Sequence, residues 1–160
     1  MVEALVYIAV FVMMSFIIVE LIISILETNK QVSPLTSLSR GAVSSLEVMT
    51  REIRQSTSVD TVNSTFNTVN GALQLNTQDI NGEPRVVRFY LDSGVVKINE
   101  NGAYLGPLSS SDVHVNSLII NLATSTKQNL LKIELDMTAG VGKYQKNEKF
   151  HSSVGLRTDN

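Results

Sequence analysis

The chain has 160 residues, of which 43% are hydrophobic and 18% charged, and its formal net charge is −2. This length suits one domain, or a small domain with an appendage. The lack of cysteine excludes disulfides, cysteine–zinc sites and thiol catalysis. Residues 1–29 contain three acids and no Lys or Arg, whereas the rest carries all 13 basic residues and 12 acids. A body so close to neutral argues against nucleic acid as a partner, because such a surface needs a clear basic excess.

The N-terminal segment predicts a membrane-spanning helix. Residues 4–26 read ALVYIAVFVMMSFIIVELIISIL, with Ser15, Glu20 and Ser24 as the clear interruptions. As a helix this segment is about 35 Å long, enough to cross a hydrocarbon core of about 30 Å. A cleaved secretory signal is the alternative, but it would have a basic start, a shorter apolar run and a small-x-small cleavage site. We therefore expect residues 1–29 to form a retained membrane helix.

Glu20 is the one charge well inside this apolar segment. A carboxylate within a membrane helix costs about 2.5–3.5 kcal/mol on insertion scales, so it needs a partner or a wet surface. Two interpretations stay open. Glu20 lies near the headgroups, about two turns from the end of the segment, or it faces the helix of another subunit.

Glu3 precedes the apolar run, and no basic residue flanks it. An acid in the first turn suits the positive end of the helix dipole. The sequence VEALV at positions 2–6 also resembles the start of a type IV prepilin or pseudopilin, whose processed chain begins Phe-Thr-Leu-Val/Ile-Glu and continues as an apolar helix. On this match Glu3 is the glutamate of the family, and Met1 stands where the family has Leu. The basic leader, the cleavage glycine and the first two mature residues of the family would precede it.

A second helical pattern follows the apolar segment. Ser33-Pro34 disfavours helix at residue 33, so we expect the long helix to kink or break there. From about 36 to 56, apolar residues recur at intervals of four, four, three and four, which predicts an amphipathic helix that packs on a sheet. This packing stripe consists of Leu38, Ala42, Leu46, Met49 and Ile53. The stretch SLEVMTREIRQS at 45–56 resembles the helix end in minor pilins.

Beyond residue 58 the periodicity becomes alternating, which predicts an antiparallel β-rich head over 58–160. Asn81-Gly82, Asp92-Ser93-Gly94 and Asn101-Gly102 are turn signals, and Asn-Gly is the strongest short hairpin signal. The expected strands are 72–75, 87–91, 95–99, 103–105, 118–122, 131–137 and 150–156, with a polar loop at 138–149. The predicted fold is therefore α+β, with one long N-terminal helix packed on an antiparallel sheet. The segment FHSSVGLRTDN at 150–160 resembles the last strand of J- and W-type minor pilins.

The sequence contains no convincing catalytic or cofactor site. His114 and His151 fall in separate predicted strands with no acid at ligand spacing, so we interpret both as sheet residues. Residues 140–143, GVGK, lack the upstream glycine and the following Ser or Thr of a phosphate loop, and are interpreted as a surface loop. We expect neither an enzyme nor a bound cofactor or metal.

The resemblance implies a minor pilin or pseudopilin that serves in adhesion, secretion or DNA uptake. Its partners would be membrane lipid before assembly, then other pilin or pseudopilin subunits, with a prepilin peptidase and an assembly platform. The head would lie outside the cytoplasm, and Glu3 would pair with the methylated N-terminal ammonium of a neighbour, with Glu20 as a second assembly residue. The alternative is a bitopic membrane protein whose extracellular β-domain binds a ligand without assembling.

Overall fold

The computed structural model describes residues 2–124 and 129–156, and it confirms the predicted α+β fold. One α-helix, α1, spans Val2–Gln55. Eight strands and one 3₁₀ turn, Gly142–Tyr144, follow. The strands are β1 (Ser58–Thr65), β2 (Ala72–Gln78), β3 (Pro84–Asp92), β4 (Val95–Glu100), β5 (Ala103–Pro107), β6 (Val113–Thr124), β7 (Asn129–Ala139) and β8 (Lys146–Gly155). Residues 157–160 of the predicted C-terminal segment lie outside the described ranges.

The helix does not break at Pro34, contrary to the expectation from the sequence. Helical backbone continues on both sides of this residue. A proline inside a helix removes one i→i−4 hydrogen bond. Pro34 is buried, and its ring lies against Gly140 of the head. We infer that packing on the head offsets the local preference, because tertiary contacts routinely override propensity.

The β-strands form two antiparallel sheets rather than one. Sheet A has the order β1-β2-β3-β4-β5, and sheet B has the order β6-β7-β8. The sheets meet where residues 69–71 run beside β6. There the amide of Leu118 donates to the carbonyl of Val69 at 2.9 Å, and the amide of Gly71 donates to the carbonyl of Leu118 at 2.8 Å. These bonds cover the outer edge of β6, and among residues 2–124 and 129–156 no strand pairs with the outer edge of β8.

Turn chemistry places the hairpins of sheet A where the sequence predicted them. Ser93 and Gly94 have φ values of 53° and 76°, and Asn101 and Gly102 have 49° and 83°. Two successive positive φ values define the type I′ turn, which matches the twist of the flanking strands. The turn at Ser93-Gly94 therefore sets the register of β3 against β4, and the turn at Asn101-Gly102 sets that of β4 against β5.

Two parts of the head differ from the prediction. β1 was not predicted, because SVDTVNST offers only two apolar residues; it is an edge strand held by pairing with β2. The predicted loop at 138–149 is shorter than expected, since β7 runs to Ala139 and β8 begins at Lys146. The polar residues of β1 and of the start of β8 are held in strands by backbone pairing with β2 and β7. Such long-range pairing leaves no local pattern in the sequence.

The second half of α1 packs on the core of the head. Leu38, Ala42, Met49 and Ile53 of the packing stripe are fully buried. Leu46 is partly buried and lies at the edge of the core. The buried line continues instead through Gly41 and Ser45, whose hydroxyl donates to the carbonyl of Leu108 at 3.1 Å. The buried positions thus follow the 3.6-residue period of the helix. They include small residues such as Gly41 and Ser45, which the apolar pattern of the sequence does not mark.

We expect Met49→Ala to destabilise the head by about 2–5 kcal/mol, because it opens a cavity in a fully buried site. Leu46→Ala should cost about 1 kcal/mol, since its side chain is already partly in water. Urea unfolding of the full chain in detergent micelles, followed by tyrosine fluorescence, measures both. Equal losses for the two variants would contradict this difference in packing.

Candidate functional site

The first half of α1 is an apolar helix surface that the head does not cover. Every described residue from Val2 to Lys30 is exposed apart from Ser15, which is partly buried. The large side chains are bare on all sides: Leu5 is 67% exposed, Phe11 71% and Phe16 70%. Soluble monomers rarely expose a contiguous apolar patch of this extent. This half of the helix is long and apolar enough to cross a membrane, and it requires lipid or other helices around it.

Two hydroxyl groups in the exposed half of α1 donate to the backbone of the helix itself. Ser15 Oγ donates to the carbonyl of Phe11, and Thr28 Oγ1 donates to the carbonyl of Ser24, each at 2.9 Å. Such bonds spare a polar side chain the cost of burial in an apolar medium. The segment can therefore enter lipid or a helix bundle without an unpaired hydroxyl at these positions.

Glu3 and Glu20 do not lie on one face of the helix. Seventeen residues separate them, which places them about 25 Å apart along the axis and about 100° apart around it. Glu3 is in the first turn. Glu20 lies two turns before Glu27 on nearly the same side, and Glu27 contacts Lys143 of the head. Glu20 therefore faces the side of the helix below the head, whereas Glu3 faces another side, so the two carboxylates would meet different neighbours.

A partly buried ion cluster, which was not predicted from the sequence, joins the end of α1 to sheet A. Arg85 of β3 pairs with Glu52 of α1, and its second terminal nitrogen lies 3.3 Å from Glu100 of β4. The side chain of Glu52 is 9% exposed. Glu52 lies between Met49 and Ile53 on the buried side of the helix. An acid at a position that faces the core was the sequence signal that could have indicated a buried ion pair. Its partner could not be found from local sequence, because Arg85 is 33 residues away.

The structure places the two histidines apart. His151 Nδ1 lies 3.4 Å from Glu134 Oε2, because the two residues are directly opposite on β8 and β7. Local sequence offers His151 no acid at ligand spacing, and Glu134 becomes its neighbour only through strand pairing. His114 of β6 packs over Gly94, where a Cβ would lie 2.0 Å from the imidazole. No group of three metal-ligating side chains occurs within residues 2–124 and 129–156.

An open groove of about 710 Å³ lies between the helix and the free edge of β8. Val43 and Leu46 supply its apolar floor, and Arg51, Arg54 and His151 lie along it. An edge strand beside an apolar groove is a surface on which another chain can pack.

No protein-family model, curated protein or solved structure matches this chain.

Proposed function

We propose that this chain is a structural subunit, a minor pilin or pseudopilin, that assembles into a type IV pilus or pseudopilus through its N-terminal helix. The observation that carries the proposal is the form of α1. It is one continuous helix of 54 residues, bare and apolar in its first half and covered by the head in its second. At 1.5 Å per residue it is about 80 Å long, well beyond what a membrane anchor requires.

Lipid satisfies the exposed half of the helix before assembly, and neighbouring helices replace lipid in the filament. Both environments are apolar, so the exchange costs little hydrophobic free energy, and close packing and polar pairs decide the association. Glu3 pairs with the N-terminal ammonium of an adjacent subunit in this proposal. Such a pair removes two unpaired charges from a low-dielectric bundle and sets the axial register. The subunit acts by assembly and not by catalysis.

Topology gives the first test. Protease added to intact spheroplasts that express the natural gene should digest the head, residues 58–156, and leave the segment 4–26 protected. The head lies outside the cytoplasm in this proposal, so its exposed loops are open to the enzyme. The tip of the β2–β3 turn, where Ile80 is fully exposed, is a suitable first cleavage site. Full protection of the head would overturn this topology, and digestion only after lysis would place the head in the cytoplasm.

A further inference from the structure

The loop between β7 and β8, residues 140–145, lies beside α1 where the apolar segment ends. Lys143 Nζ is 3.7 Å from Oε1 of Glu27, the first residue after the segment 4–26. Gly140 packs on Pro34 so closely that a Cβ would lie 2.9 Å from the proline Cγ, and its φ of 88° also favours glycine. These two contacts hold the loop at the level of residues 27–34, directly above the last apolar turn.

This level corresponds to the headgroup layer when the helix spans a bilayer. Residues 27–34 rise about 10 Å along the helix axis. Each headgroup layer is about 5–7 Å thick. With residues 4–26 in the hydrocarbon, Lys143 is therefore within reach of the headgroups, and Gly140 lies just above that layer.

The side chains at this level suit an anionic lipid surface. Lys143, Tyr144 and Lys146 line an open cavity of about 270 Å³ together with Glu27 and Gln31. The Lys143 ammonium lies 4.9 Å from the centre of the Tyr144 ring. The hydrogen bond with Tyr144, and to a lesser degree the charge of Glu27, raise the pKa of Lys143 above its ordinary value.

The charges and the aromatic side chain beside residues 27–34 are both those of a membrane–water interface. The cavity is lined by two ammonium groups, of Lys143 and Lys146, and by the carboxylate of Glu27, and Lys30 is exposed on the adjoining helix turn. Lysine and tyrosine are the side chains that favour the membrane–water interface. Val141, which is 87% exposed, adds an apolar side chain to the loop.

We propose that residues 140–146 form a second membrane contact, which binds the phosphate groups of anionic lipids and holds the head against the bilayer. The inference rests on the membrane-spanning part of the proposed function and does not depend on filament assembly. Each lysine near an anionic surface changes the equilibrium about fivefold. Loss of Lys143 and Lys146 should thus lower the ratio of docked to undocked loop about 25-fold.

The chain has no cysteine, so a single probe can be attached at a chosen position. The full chain carries a fluorophore through Gln145→Cys in the loop, or through Ile80→Cys as a distant control. Ile80 is distant because it follows the end of β2 that lies beside the C-terminal end of the helix, where the Thr77 hydroxyl donates to the carbonyl of Gln55. The C-terminal end of α1 is about 40 Å from Glu27 along the helix axis. The vesicles contain headgroup-spin-labelled phosphatidylcholine, with or without phosphatidylglycerol, and quenching reports the distance to the lipid surface.

Phosphatidylglycerol should increase quenching of the loop probe and leave the Ile80→Cys probe unchanged. Lys143→Gln combined with Lys146→Gln should abolish the increase, whereas Lys132→Gln, an exposed lysine of β7, should preserve it. Equal quenching in both kinds of vesicle, or an increase that survives the double variant, would overturn the lipid contact alone. A chain that fails to float with the vesicles would overturn the membrane-spanning proposal as well.

Discussion

Glu3→Ala is expected to lower the amount of this chain in sheared filaments more than tenfold while its level in the membrane stays the same. The substitution removes an acid from the helix start, so insertion into lipid is not impaired. In the proposed filament, the ammonium of the neighbouring subunit would lose the partner that we propose for it among apolar helices. A penalty of a few kcal/mol at each contact exceeds the 1.4 kcal/mol that corresponds to a factor of ten.

Two further variants refine the Glu3 experiment. Glu3→Gln keeps the shape and part of the hydrogen bonding, so its incorporation should fall between those of the parent and Glu3→Ala. Glu20→Ala separates the two interpretations of that residue: incorporation falls if Glu20 faces another subunit's helix and is unchanged if it lies near the headgroups. Equal amounts of parent, Glu3→Ala and Glu3→Gln in the filament fraction would favour a bitopic protein that anchors without assembling.

Arg85→Met should destabilise the head by about 3–5 kcal/mol, an effect as large as that of a core cavity. Arg85 holds Glu52, which is nearly buried at the helix–sheet junction, and removal of the guanidinium leaves that carboxylate without a counter-charge. Adding Glu52→Gln to Arg85→Met should recover much of the loss, because the uncompensated charge is gone. Urea unfolding of the full chain in detergent micelles measures all three proteins.

The matched control for Arg85 is Lys97→Met. Lys97 pairs with Asp92 across the turn between β3 and β4, and Asp92 is 50% exposed. Exposed pairs contribute about 0–1 kcal/mol, so this variant should unfold close to the parent. If Arg85→Met also unfolds like the parent, the Glu52–Arg85 pair does not tie the helix to the sheet.

The elements that the sequence predicted well are those with a local physical cause. The turns at Ser93-Gly94 and Asn101-Gly102 depend on residues that tolerate positive φ, so the hairpins could be recognised from a few positions. The alternation at 131–137 places apolar side chains on one face of β7, and four of the five residues in the packing stripe are fully buried. The bare apolar helix could be predicted because its composition is uniform over 23 residues.

Other features depend on contacts between distant parts of the chain. Ser33-Pro34 predicts a break by local geometry, but burial of Pro34 against Gly140 accompanies an uninterrupted helix. β1 exists because β2 offers it a pairing edge, and its own residues carry no strand pattern. The strands form two sheets, and these meet only through a long-range contact, where residues 69–71 run beside β6.

An apolar helix able to span a membrane and an antiparallel β-rich head joined to it can both be predicted from local sequence. Both follow from periodicity and composition, which act over a few residues. Which charges meet depends instead on the tertiary structure. Arg85 with Glu52, His151 with Glu134, and Lys143 with Glu27 are each brought together from distant positions in the chain. Local patterns do not report such pairs, because ionic attraction acts between neighbours in space. Strand pairing brings His151 to Glu134, and packing of α1 on the head forms the other two pairs.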